Sequence, residues 1–293
     1  MSSYKMIKDY KGDVTYRASF NALAKETFGI DFEPWYQNGF WNDRYICYTM
    51  VDGDRVVSNV SISKLSICMD GETYEVLQIG TVMTHPDYRK QGLAGSLMEA
   101  IYEDYDHVCD FYYLFGNDFA YDFYVKYGFT PVQEHSFAMT YKHVSQDVGT
   151  VRKLVLDKPE DKALIMRLTK NKTYISKDFG IKNEQSLLLF YMLYVYTDEV
   201  YYIEDKDAIV IYEIDEGVLN LVDVLCEKAI AVDALLPYIA NEGIKKVNFE
   251  FTPNIETSQM TIEELHSDDS TTMFRKLTHV PKKPFRFSEC SHA

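Results

Sequence analysis

Basic residues are scarce in this 293-residue chain: 30 Lys and Arg stand against 45 Asp and Glu, a net charge of −15. That balance argues against sequence-independent nucleic-acid binding, which needs a basic face. The five cysteines, Cys47, Cys68, Cys109, Cys226 and Cys290, form no CxxC pair and no metal-ligand spacing. Reduced thiols in a cytoplasmic protein are therefore expected, with no metal site. No apolar run approaches the roughly 18 residues of a membrane span, and no apolar segment precedes a cleavage site. Cys290-Ser-His-Ala sits where a prenylation box would, but lacks the two aliphatic middle residues. The common nucleotide loops are missing too: there is no GxGxxG, and no Lys-Ser or Lys-Thr follows a glycine.

Hydrophobic residues make up 46% of the chain and charged residues 26%, enough apolar material for a packed core. The length suits one large domain or two ordinary ones. Residues 21–28 carry Leu23, Ala24 and Phe28 at helical spacing. Residues 32–43 hold both tryptophans, Trp35 and Trp41, on what reads as an irregular connection. Such aromatics either line a cleft or fold back over the core, and both readings stay open. Three extended segments follow, 45–51, 55–68 and 73–84, separated by Asp52-Gly53 and Asp70-Gly71, which predicts an antiparallel meander. The third runs through His85-Pro86 into Arg89-Lys90-Gln91-Gly92-Leu93-Ala94. A helical pattern then places Leu93, Leu97, Ala100 and Ile101 on one face. A strand that feeds a basic, glycine-containing turn at a helix start is suited to phosphate, because the first N–H groups of a helix lack partners and its dipole is positive there. A short strand at 111–115 comes next, then a helix through Tyr124 closed by Gly128, and a final extended pair over 129–141.

Two motifs sharpen this reading. Val-x-x-His-Pro-x-Tyr-Arg-x-x-Gly-x-Ala occupies 82–94, and Phe-Tyr-x-Lys-x-Gly-Phe occupies 123–129. Together, in this order, they resemble the GNAT superfamily of acetyl-CoA-dependent N-acetyltransferases over about residues 4–142. The resemblance implies an α+β fold, a mixed and mostly antiparallel sheet flanked by helices. It implies acetyl-CoA as cosubstrate, with its pyrophosphate on Arg89, Lys90, Gln91, Gly92, Leu93 and Ala94, its pantetheine arm along Val82, Met83 and Thr84, and Asn117 beside that arm. Ala94 stands where a second glycine is commoner. Tyr124 matches the family's general acid, which protonates the departing thiolate. A small-molecule or peptide amine is the implied acceptor. A CoA-binding module without turnover and an enzyme for longer acyl groups are the alternatives.

The general base is not identified. Some relatives carry Glu at the position of Gln78, which accepts no proton from an amine. Glu75 is offset by three, on the opposite face of a strand. Water or the carboxylate of Ala293 are the other options. None of the five cysteines lies in either motif, which disfavours a covalent acyl-enzyme.

Past a polar stretch at 142–150, the second half repeats the succession. Helices are expected at 161–168, 186–195 and 230–240, and strands at 200–204, 208–214, 218–226 and 246–251. The segment 218–226 corresponds to 73–84, but Cys226-Glu227-Lys228-Ala229 has no glycine and carries an acid where phosphate would sit. Met273-Phe274-Arg275-Lys276-Leu277 faintly echoes the second motif. The expectation is a catalytic domain over 1–145 and a degenerate GNAT-like domain over 150–293 that walls the acceptor cleft, similar to the first two domains of Eis-like acetyltransferases without their third. Asp198, Glu199, Asp215, Glu216 and Asp223 raise the option of a polycationic acceptor. Oligomeric state is not legible.

Overall fold

Strand pairing divides the molecule, and the division does not follow the linear halves of the chain. The computed structural model describes residues 4–144, 146–267 and 270–293. Its first half runs β1 (Lys5–Lys8), α1 (Val14–Phe28), α2 (Glu33–Gln37), β2 (Tyr45–Asp52), β3 (Arg55–Met69), β4 (Glu72–Thr84), α3 (Leu93–Tyr105), β5 (Phe111–Gly116), α4 (Tyr121–Lys126), β6 (Thr130–Pro131) and β7 (His135–Thr140). The second runs β8 (Val151–Lys153), α5 (Pro159–Lys170), β9 (Phe179–Lys182), α6 (Gln185–Tyr194), β10 (Val200–Ile203), β11 (Ala208–Asp215), β12 (Val218–Cys226), α7 (Leu236–Ile239), β13 (Lys246–Phe249), β14 (Thr261–Glu264) and β15 (Thr271–Arg275).

The first sheet has the order β1-β2-β3-β4-β5-β15-β6, with β9 attached to the far end of β3. The second has the order β8-β10-β11-β12-β13-β7-β14. Position by position, the two orders and their strand directions match: all neighbours are antiparallel except β4–β5 and β12–β13. The match includes an exchange, since β7 from the first half fills in the second sheet the place that β15 fills in the first. The fold is thus α+β with two related units.

Four expectations are corrected here. The segment 129–141 is not a pair within the first sheet: only β6 stays there, while β7 pairs with β13 and β14. Met273 and Phe274 lie on β15, hydrogen-bonded to β5 and β6, so the echo of the second motif is a strand with no helix in it. The expected helix over 230–240 is a 3-10 turn, Val232–Leu235, followed by the one-turn α7 with Pro237 at its start. The irregular connection at 32–43 contains α2.

Alternation along β2 shows how helices are placed. Tyr45, Cys47 and Val51 face α1, whose Phe20, Leu23 and Ala24 are buried, while Ile46, Tyr48 and Met50 face Leu93, Leu97 and Ile101 of α3. Asp13 caps α1 by accepting from the amides of Thr15 and Tyr16. On the α1 side the core is continuous with the second half: Phe20 and Trp35 belong to the same cluster as Leu168, Leu188 and Ile209. Trp35 also donates from its indole nitrogen to the Ser186 carbonyl at 3.0 Å, fastening α2 to α6.

Candidate active site

The site begins where two neighbouring strands part. β4 and β5 are parallel and paired only through residues 76–78 and 111–113, although β4 continues to Thr84 and β5 to Gly116. On its other edge β4 carries a bulge: Asn59 faces Met83 but Ser61 faces Gly80, one residue more on β4 than on β3. Thr81 takes up the extra residue with φ of 46°, a conformation costly for a β-branched side chain. The Asn59 amide holds the Thr81 carbonyl at 2.9 Å, and the Tyr45 and Thr81 hydroxyls bond at 2.6 Å. Beyond the bulge, His85 donates to the Val57 carbonyl at 2.9 Å. Alternation then turns the main-chain groups of Val82 and Thr84 away from β3 and into the gap.

β4 ends in the basic turn. Gly92, at φ of 80°, is the N-cap of α3, a left-handed position that a side chain resists. The first amides of α3, from Leu93 to Gly95, have no partner within the helix, and the first closing bond is Ser96 to the Gly92 carbonyl. Leu93 sends its side chain into the core and offers only its amide. Arg89 is exposed and reaches back from Nε to the Thr84 carbonyl at 3.1 Å. Arg89, Lys90, Gly92 and Ala94 border a cavity of about 440 Å³. Gln91 does not line it; its amide group is held by Tyr4 and Asp87.

A second cavity of about 520 Å³ occupies the gap between the strands and shares Thr84, Arg89, Ala94 and Phe123 with the first. Val82, Met83, Asn117 and Tyr124 border it, so the turn residues other than Gln91 are brought together with the expected strand and helix residues. The Met83 side chain itself is buried against α1. Asn117 accepts from the Ala120 amide at 3.0 Å, which leaves its NH2 group free for the cavity. Tyr124 is 7% exposed, and its hydroxyl has no protein partner among the described residues. Burial pushes this phenol up to about 12. It therefore keeps its proton until negative charge develops beside it.

The options for a base are separated clearly. Glu75 is exposed and accepts from Ser66 at 2.8 Å, far down β4 from the gap. Gln78 is fully buried, and neither atom of its amide finds a protein partner. Ser63 Oγ and the Tyr113 hydroxyl are also buried without one, and register sets all three side by side across β3, β4 and β5. Ala293 does reach the cleft, where a Cβ added to Gly80 would meet its atoms at 2.7–2.9 Å. Gly80 is thus required by this close approach, a signal the sequence alone does not display. Among the described residues no carboxylate side chain borders the cleft. The five cysteines are all buried, and burial pushes the Cys47 thiol up to about 12 and that of Cys226 up to about 11, so neither is a ready nucleophile.

A third cavity, about 260 Å³, opens from the cleft and shares Phe28, Thr81 and Ala293 with it. It lies between the α1–α2 region and α6, so both halves of the chain contribute. Trp35 borders it, whereas Trp41 is a core residue packed at 5.6 Å from Trp35. The acidic residues considered for a polycationic acceptor do not line any of the three connected cavities. Asp198 pairs with Lys153 at the surface, and Asp223 is buried against Lys172.

A parallel pair that parts around a cleft, fed by a glycine turn at a helix start, forms the candidate site on a doubled α+β fold. Residues 15–132 match the acetyltransferase (GNAT) domain family. That match identifies a GNAT domain within the chain, over less than half of its length. The doubled architecture recurs in solved structures. A probable N-acyltransferase from Enterococcus faecalis V583 is 17% identical with a TM-score of 0.64, over 93% of this chain and 72% of that one. Eis1 from Mycobacterium abscessus is 10% identical with a TM-score of 0.58, over 92% and 73%. A GCN5-related N-acetyltransferase from Anabaena variabilis is 17% identical with a TM-score of 0.57, over 92% and 72%. These likenesses concern the fold. No curated protein sequence matches. Among the described residues no helix is long and apolar enough to cross a membrane, and no cluster of side chains is arranged to hold a metal ion.

Proposed function

We propose that this chain transfers an acetyl group from acetyl-CoA to a primary amine by direct attack in a ternary complex. The observation that carries the reading is the continuity of the basic turn, the strand gap and Tyr124 along one path of connected cavities. In this reading Arg89, Lys90 and the free amides at the start of α3 hold the pyrophosphate, with Gly92 keeping a Cβ out of the way. The outward main-chain groups of Val82 and Thr84 align the pantetheine arm as an added strand, with Asn117 across from them. Acetyl-CoA supplies the thioester carbonyl.

The amine nitrogen bonds to the carbonyl carbon with its lone pair, the C–S bond breaks, and sulfur leaves with the bonding electrons. Tyr124 donates its proton to that sulfur. The nitrogen loses one proton to water in the cleft, and Tyr124 regains one, so the products are an amide and a free thiol. The buried thiols offer no route through an acyl-cysteine. Titration calorimetry with acetyl-CoA tests the site: binding is expected for the natural chain, and a loss of roughly 100-fold or more for Gly92→Glu, which adds both a side chain at positive φ and a like charge. Absence of binding, or binding indifferent to Gly92→Glu, overturns the reading.

A further inference from the structure

The third cavity has a chemistry of its own. Its floor is a cluster of rings from the first half, with Phe32 and Trp35 at 5.9 Å, and Trp35 and Tyr45 edge-on at 5.1 Å. Its opposite wall is α6, where Phe190 lies 5.6 Å from Phe32 and 6.0 Å from Trp35. Among all its lining residues there is no Asp, Glu, Lys or Arg. The polar groups are few: the Tyr45–Thr81 hydroxyl pair at the seam with the cleft, the Tyr191 phenol, His292 and the polar atoms of Ala293. His292 is stacked on Phe115 at 3.5 Å, and burial with the Arg286 charge pushes it down to about 3, so its imidazole is neutral.

From this lining we infer that the acceptor is a monoamine carrying one apolar ring, held in the aromatic cavity with its nitrogen at the Thr81 seam. The inference rests on the acetyl transfer proposed above and specifies its second substrate. A polyamine or aminoglycoside would carry several further ammonium groups into a space that no acidic side chain lines among the described residues, and unpaired buried charge is costly. A single amine at the seam pays no such penalty, and partial desolvation lowers its pKa toward the neutral, attacking form. The volume of about 260 Å³ is below the usual range for drug-sized ligands, roughly 300–1,000 Å³, and suits a compact body. A larger, polar cavity of about 830 Å³ lies beyond the Phe115–His292 stack. Among the described residues its carboxylates are already engaged, Glu134 by Thr272 and the Phe287 amide, Glu289 by Tyr196.

The experiment compares 2-phenylethylamine, spermidine and kanamycin as acceptors with acetyl-CoA, reading thiol release, alongside calorimetric binding of acetyl-CoA. Trp35 and Trp41 are the two tryptophans of the chain and both sit in the ring cluster, so intrinsic fluorescence reports occupancy without turnover. The expected result is a kcat/KM for 2-phenylethylamine roughly 10- to 100-fold above that for spermidine or kanamycin, the worth of burying one aromatic side chain. Phenylethylamine should also change the tryptophan emission. Phe190→Glu places a carboxylate in the wall and is expected to shift the preference toward spermidine. Phe28→Asp does the same at the rim, where Phe28 is 44% exposed and not needed for the core. Acetyl-CoA binding with preferred turnover of spermidine or kanamycin overturns this inference alone, as does an emission spectrum indifferent to phenylethylamine. Failure of acetyl-CoA to bind overturns the function reading itself.

Discussion

In both sheets a parallel pair is bonded at one end and free at the other: β4 and β5 through residues 76–78 and 111–113, β12 and β13 through 218–221 and 246–249. In the first pair the free end borders an open cleft of about 520 Å³. In the second the corresponding space is filled by the chain's own C-terminal segment. Ser288 donates to Asp223 at 2.6 Å, Thr252 donates to the Arg286 carbonyl at 3.1 Å, and what is left is about 30 Å³, room for one water. The turns differ as well. The first has Gly92 and two cations, Arg89 and Lys90, with no carboxylate partner among the described residues, whereas in the second Glu227 is bound by Arg167 and Asn171, and no glycine is present. A repeated fold therefore carries a cleft in one copy and a plug in the other, and the plug leads residues 292 and 293 into the first copy's cleft.

The largest effect that sharpens this contrast concerns the plug. Lys172 is buried between Glu184 at 2.7 Å and Asp223 at 3.0 Å; burial alone would lower its pKa, but the two carboxylates outweigh that and raise it. Lys172→Met leaves two carboxylates enclosed without their cation, with an expected loss of about 3–5 kcal/mol in urea unfolding. A loss below about 1 kcal/mol would mean that the plug is not held by this cluster.

Next is the working cleft. Tyr124→Phe is expected to lower kcat by roughly 100-fold or more with acetyl-CoA affinity kept. Near-natural turnover in single-turnover assays would remove Tyr124 from the chemistry.

A smaller effect tests the contact between plug and cleft. Gly80→Ala pushes against Ala293, and overpacking of this kind costs about 1–3 kcal/mol. A fall in kcat/KM of roughly tenfold, with little change in acetyl-CoA affinity, is the expected kinetic mark; unchanged kinetics would show that the contact yields freely.

The smallest is a pH effect. His292 in the folded chain is held down at about 3, while unfolded histidine takes a proton near pH 6.5. Protons then favour the unfolded chain as pH falls from about 6.5 toward about 3, so stability present above that window is lost within it, by less than about 1.4 kcal/mol per pH unit. His292→Gln should flatten this limb in denaturant midpoints measured at pH 7 and pH 5.

Much of the fold was legible because its signals are local. The strands at 45–51, 55–68 and 73–84 were marked by Asp-Gly turns and fall within a residue or two of β2, β3 and β4. The turn at Gly92 and the helix end at Gly128, with φ of 80° and 85°, were readable because such conformations select glycine. The strand exchange was not legible: β7 and β15 look alike as short extended runs, and nothing local says which sheet each joins. Nor was the aromatic cavity, because Phe190 and Tyr191 come to Trp35 and Tyr45 from more than a hundred residues away. The acidic residues of the second half misled for a related reason, since charge composition does not say which way a carboxylate points.

By itself, then, the sequence determined the two motifs, the basic turn and the position of Tyr124 after it, since each depends on residues close in the chain and on backbone conformations that few residue types adopt. Only the tertiary structure decided that β4 bulges at Thr81 and parts from β5, that the second copy's gap is plugged, and that rings from both halves meet beside the cleft. Those outcomes depend on pairing and packing between distant segments, where many sequences satisfy the same local rules and the whole core selects among them.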